Sequence, residues 1–168
     1  MDKLFLLDAY ALIYRSYYAF IKSPRINSKG QNTSAIMGFM NTLHEVMTKE
    51  QPTHLGVAFD PHGPTFRSEA FPAYKAQREE TPQDIRMSVP IIKDILRAMR
   101  IPILQADGFE ADDVIGTLAK KADSIGVDTY MLTPDKDYGQ LVGGHVYQFR
   151  PRHGGGYETM GADEVTAK

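Results

Sequence analysis

The chain has 168 residues, of which 42% are hydrophobic and 24% charged, an ordinary mix for one globular domain with a sizeable core. It contains no Cys, which excludes disulfides, zinc–thiolate sites and thiol nucleophiles. The net charge of −2 does not announce a nucleic-acid binder, although a basic groove beside an acidic pocket sums to a similar value.

Lys3 to Leu7 reads as a buried strand that ends at Asp8. That run is too short for a signal peptide or a membrane span, so a cytoplasmic location without a membrane partner is the expectation. Tyr10, Ile13, Tyr14, Tyr17 and Tyr18 then recur at helical spacing and are expected to face the core. Arg15 falls on the other face, toward solvent or a phosphate. After a turn ending at Gly30, Thr33 or Ser34 caps a helix with apolar residues from Ile36 to Met47, and Pro52 closes it. His54 to Phe59 is a second strand, followed by Asp60.

The stretch from Phe66 to Glu80 mixes Arg67, Lys75 and Arg78 with Phe71 and Tyr74, and is interrupted by Pro72. Thr81 and Pro82 are expected as cap and first residue of a helix running to Met99. Pro102 to Leu104 is a third strand, and Gly108 leads into a helix ending near Gly126. Asp128 to Leu132 is a fourth strand, running into Asp135-Lys136-Asp137. Val146 to Phe149 pairs with Tyr157 to Met160 across three glycines, and Asp163 opens a last helix. Strands alternating with helices predict a mostly parallel α/β sheet.

Such sheets bind ligands beyond the carboxyl ends of their strands. Asp8, Asp60, Asp135 and Asp137 all fall at predicted strand ends, and Glu110, Asp112 and Asp113 open the helix after another. One acid suits a helix N-terminus, but three in four residues repel one another unless a cation sits among them. Carboxylates alone select hard cations, Mg²⁺ or Mn²⁺, and so many suggest two ions. Two ions suit in-line displacement at phosphorus, which makes a phosphate ester the expected substrate. The five His residues are scattered without ligand-like spacing. The glycine run 154–156 lacks the Lys-Ser/Thr of a P-loop, and there is no Gly-x-Ser-x-Gly. Lys75 and Arg78 are spaced i, i+3, and Tyr74 beside them offers a ring on which a base can stack.

Taken together, Leu7-Asp8-Ala9-Tyr10 with Arg15, Ala58-Phe59-Asp60, Phe66-Arg67, Tyr74 to Arg78, Glu110 to Gly116 and Asp135-Lys136-Asp137 resemble the 5′-nuclease (flap endonuclease) superfamily. Within it they are most similar to the N-terminal 5′→3′ exonuclease domains of bacterial DNA polymerases I. The resemblance implies a PIN-like fold and Mg²⁺-dependent hydrolysis of DNA at 5′ ends, nicks and flaps, as in primer removal and repair. It implies Asp8, Asp60, Glu110 and Asp112 around a first ion, with Asp113 a ligand or a partner behind one. Asp135 and Asp137 would face a second ion. Lys75 and Arg78 would form the basic pair of an arch over the site, with Arg15, Arg67 and Tyr74 also on the DNA. Pro134 departs from the small residue the family often has there. The family's helix–hairpin–helix is not seen before Lys168, so the resemblance also implies a fragment of a longer protein, weak as a nuclease alone and continued by a polymerase region. Competing readings are a PIN-like ribonuclease, a phospho-receiver module, and a DNA-binding module without catalysis. The late position of Asp112-Asp113 counts against the phospho-receiver.

Overall fold

The computed structural model describes residues 2–61, 81–152 and 154–166. The chain opens with β1 (Lys3–Asp8), α1 (Ala9–Ala19), α2 (Ser34–Glu45) and β2 (His54–Ala58). α3 (Gln83–Ala98), β3 (Ile103–Leu104), α4 (Ala111–Ser124) and β4 (Asp128–Leu132) follow. A 3₁₀ helix at Lys136–Leu141 leads to β5 (Val146–Pro151), β6 (Tyr157–Met160) and α5 (Ala162–Thr166). Among the described residues the six strands form one sheet in the order β3-β2-β1-β4-β5-β6. All neighbours are parallel except β6, which returns antiparallel on β5. This is the predicted α/β architecture, a mostly parallel sheet flanked by helices.

The period of two along β1 builds both faces of the sheet. Phe5 and Leu7 point to one side, where α1, α2 and α3 pack through Leu12, Ile13, Phe39, Leu43, Ile85, Ile92 and Leu96. Leu6 points to the other, where it meets Ile115 and Ala119 of α4 and Tyr138 of the 3₁₀ helix. The same alternation assigns Asp8, two residues beyond Leu6, to the α4 side. Asp60, two beyond Ala58, follows the same rule, because Ala58 also packs on the α4 side. From β1 the chain works outward through β2 to β3, then crosses back to β4 on β1's other flank. The gap between the carboxyl ends of β1 and β4 is therefore the topological switch point.

Some boundaries differ from expectation for identifiable reasons. The stripe of α1 is centred on Ala9, Leu12, Ile13 and Ser16. Tyr10, Tyr14 and Tyr17 pack partly buried against the same core, as expected, while Tyr18 stays half exposed. α2 crosses α1 too closely for larger groups: a Cβ on Gly38 would lie 2.5 Å from Ser16 Cβ. α2 gives way at Val46–Glu50 to a π-helical turn rather than running on to Pro52. Pro82 is the N-cap of α3 rather than its first residue. Thr81 instead accepts a hydrogen bond from the Tyr14 hydroxyl at 3.1 Å. Among the described residues no helix is long and apolar enough to cross a membrane.

One buried group in β4 lacks a partner. Thr129 is fully buried, and its hydroxyl makes no hydrogen bond. Val has nearly the same shape and no such group to desolvate. Thr129→Val should raise stability by about 1 kcal/mol, or about 2–4 °C in a chain of this length, measured by thermal unfolding. An unchanged or lowered midpoint would mean that the hydroxyl is satisfied in solution.

Candidate active site at the sheet switch point

Asp8 does two jobs at once. It is the last residue of β1 and the N-cap of α1, its Oδ1 accepting the Ala11 N–H at 3.4 Å. Its Oδ2 accepts the Tyr138 hydroxyl at 3.0 Å and lies 3.5 Å from the Thr133 hydroxyl. Both oxygens are thus oriented by groups from three elements. Burial pushes the Asp8 carboxyl up to about 6, the charges of Asp60 and Asp135 push the same way, and the Tyr138 bond opposes them. Burial and the Asp8 charge raise the Tyr138 phenol far out of the physiological range, so it stays a donor.

Asp60 follows β2 and is half-buried. Its Oδ1 accepts the Ala111 N–H at 2.7 Å, tying the end of β2 to the first residue of α4. That N-terminus carries the densest charge. Glu110 is the N-cap and is buried, and its N–H donates to Asp113 Oδ2 at 3.1 Å. One carboxylate oxygen from each of Glu110, Asp112 and Asp113 lies within 4.8 Å of the other two. The α4 dipole offsets part of their repulsion.

The opposite wall is the segment after β4. Gln148 of β5, itself buried, donates to the Thr133 carbonyl at 3.0 Å and to the Asp135 carbonyl at 2.9 Å. Asp135 caps the 3₁₀ helix by accepting the Asp137 N–H at 2.9 Å. Asp135 and Asp137 are exposed, and Asp137 shares a cleft of about 510 Å³ with Asp112, Asp113 and Tyr138.

The structure thus brings Asp8, Asp60, Glu110, Asp112, Asp113, Asp135 and Asp137 to one edge. Their grouping is finer than expected. The compact trio is Glu110, Asp112 and Asp113, whereas Asp8 and Asp60 are anchored individually beside it. Arg15 is exposed on α1, and its charge lowers the Tyr157 phenol that burial raises. Arg67, Tyr74, Lys75 and Arg78 lie outside the described residues. Sequence reasoning missed Tyr138, Thr133 and Gln148. The one available signal was an aromatic residue directly after Asp135-Lys136-Asp137, where a solvated loop has no use for one.

The donor set fits a hard divalent cation, because every clustered group is a carboxylate. Two oxygens on one Mg²⁺ lie at most about 4.2 Å apart, twice the usual bond length. The trio's oxygens, one from each residue and all within 4.8 Å of one another, are on the scale of that limit.

The sheet order and this edge define a doubly wound α/β protein with a carboxylate-lined site at its switch point. The chain belongs to the family of the 5′-3′ exonuclease N-terminal resolvase-like domain, whose profile matches residues 3–168. This is a family of hydrolytic nucleases. The chain is 46% identical over 139 residues to a DNA polymerase I of Treponema pallidum, covering 83% of this chain and 14% of that protein. It is 40% identical over 151 residues to a 5′-3′ exonuclease of Aquifex aeolicus, covering 90% of this chain and 52% of that one. The chain therefore spans only part of these relatives. Its fold matches that of a bacteriophage T5 flap endonuclease solved as a pseudo-enzyme-product complex with DNA and metal ions, with a TM-score of 0.69 at 18% identity, over 99% of this chain and 60% of that one. A T5 5′-exonuclease with bound zinc matches with a TM-score of 0.63 at 21% identity, over 89% of this chain and 55% of that one.

The Asp8 environment predicts a pH signature. The rise from 3.8 to about 6 means the folded chain holds a proton that the unfolded chain releases. Asp8 therefore subtracts stability as pH climbs through that window, by about 3 kcal/mol at most without a cation. Asp8→Asn, melted in EDTA, should match wild type near pH 4 and exceed it by several degrees at pH 7. A difference independent of pH would contradict this electrostatic account.

Proposed function

We propose that this chain is a Mg²⁺- or Mn²⁺-dependent 5′→3′ exonuclease and flap endonuclease that hydrolyses DNA phosphodiesters. The observation that carries the reading is the convergence of seven acids from four segments on the switch point. The family membership and the DNA and metal ions of the T5 structure support it. Asp8, Asp60, Glu110 and Asp112, with Asp113 against them, would hold a first ion, and Asp135 and Asp137 would face a second across the cleft. Such ions, when bound, activate a water and stabilise the leaving oxygen of an in-line displacement.

The chain's own residues do the rest. Tyr138 and the Ala11 N–H fix the Asp8 carboxylate so that its remaining lone pairs face the edge. Asp60 fixes the α4 N-terminus relative to β2, and with it the trio. Gln148 fixes the loop that presents Asp135. Lys75 and Arg78, assigned from sequence alone, neutralise the scissile phosphate, while Arg15, Arg67 and Tyr74 hold the strand. The same reading assigns the chain to primer removal and repair in the cytoplasm, joined to a polymerase region in the complete protein.

The test is cleavage of a 5′-flap DNA and of a single-stranded RNA, with Mg²⁺, with Mn²⁺ and in EDTA, by a form of the protein that includes this chain. Flap cleavage should require the ion and exceed RNA cleavage. Glu110→Gln and Asp112→Asn should each lower it about 100-fold or more. Cleavage that persists in EDTA, or survives both substitutions, would overturn the proposal. A preference for RNA would favour a ribonuclease.

A further inference from the structure

The cleft beside the acids extends well past them. Along α4 it is lined by Asp113, Gly116, Thr117 and Lys120, the i, i+3, i+4, i+7 spacing of one helix face. The 3₁₀ helix supplies Asp137 and Gln140 opposite. The groove thus changes character along its length: carboxylates at one end, small residues in the middle, then a lysine, a hydroxyl and an amide. Gly116 keeps the floor low, since a Cβ there would already lie 3.3 Å from Leu141. Lys120 stands two helical turns from Asp113, about 10 Å along the axis. It is exposed and makes no ion pair with an acid among the described residues.

Resting on the nuclease reading, the geometry points to Lys120, with Thr117 and Gln140, as a phosphate subsite. It takes a neighbouring backbone phosphate of the strand whose scissile phosphate lies at the carboxylates. A diester chain has one negative charge per nucleotide, so a groove that cuts it needs a cation beyond the cutting site as well as at it. Neutral Thr117 and Gln140 add donors without sequence preference. Lys120 lies far enough from the carboxylate end of the groove that water largely screens its charge from a cation held there.

The test is equilibrium binding of a 5′-flap DNA across a salt series. Ca²⁺ serves as the divalent ion, a hard cation whose loose geometry does not demand the octahedral positioning of Mg²⁺. Lys120→Ala should lower the slope of log Kobs against log[NaCl] by about one, the signature of one lost phosphate contact, and Lys120→Arg should retain it. Lys121→Ala, a neighbouring lysine that does not line the cleft, should leave the slope alone. In Mg²⁺, Lys120→Ala should raise KM with kcat nearly unchanged. An unchanged slope in Lys120→Ala, or an equal loss in Lys121→Ala, overturns the subsite and leaves the nuclease reading intact. No salt-dependent DNA binding by a form of the protein that includes this chain overturns the nuclease reading and the subsite with it.

Discussion

The hydrogen bond from the Tyr138 hydroxyl to Asp8 Oδ2, 3.0 Å long, joins the central strand to the 3₁₀ helix beside which the second group of acids stands. Asp8 is buried, which disfavours its charge, so something must hold that charge in place. The Ala11 N–H and the Tyr138 hydroxyl do so from opposite sides of the carboxylate. Tyr138 in turn packs against Leu6 and Ile115, so its ring belongs to the core between the sheet and α4. The position of Asp8 on the acidic edge is therefore set through core packing.

Close approaches make that packing possible. The 3₁₀ helix lies between α4 and α5, with glycines at both contacts. A Cβ on Gly116 would lie 3.3 Å from Leu141, and one on Gly139 would lie 3.2 Å from Val165. Either would be tighter than ordinary van der Waals contact, so a side chain there would push the helix outward. Gln148 adds a polar clamp from beneath, using both amide hydrogens on backbone carbonyls. Few residues are spent, and each orients either an acid or the backbone that presents one.

Much of this was legible in the sequence because it depends on local periodicity. The apolar run of β1 ending in Asp8 and the cap-like Glu110 before α4 are both readable from neighbours in the chain. Their shared position at one sheet edge follows from parallel strands. Tyr138, Thr133 and Gln148 were not legible, because their roles are contacts between residues distant in sequence. Tyr138 lies 130 positions from its partner. Spacing did single out the trio Glu110, Asp112 and Asp113, but not that Asp8 and Asp60 are anchored separately beside it. Tyr18 departed from the expected core face for a related reason: helical periodicity names a face, but the approach of α2 at Gly38 decides which residues on it are fully covered.

The central claim is that the edge gathers carboxylates because it binds a divalent ion. Mn²⁺ titration followed by electron paramagnetic resonance reads it directly, since free ion gives a strong signal and protein-bound ion a weak one. The account predicts saturable binding by the wild-type chain, weakened about tenfold or more in Asp112→Asn. The variant should melt at or above the wild-type midpoint in EDTA, because it relieves repulsion within the trio. Absence of saturable binding, or equal affinity in the variant, would contradict the account.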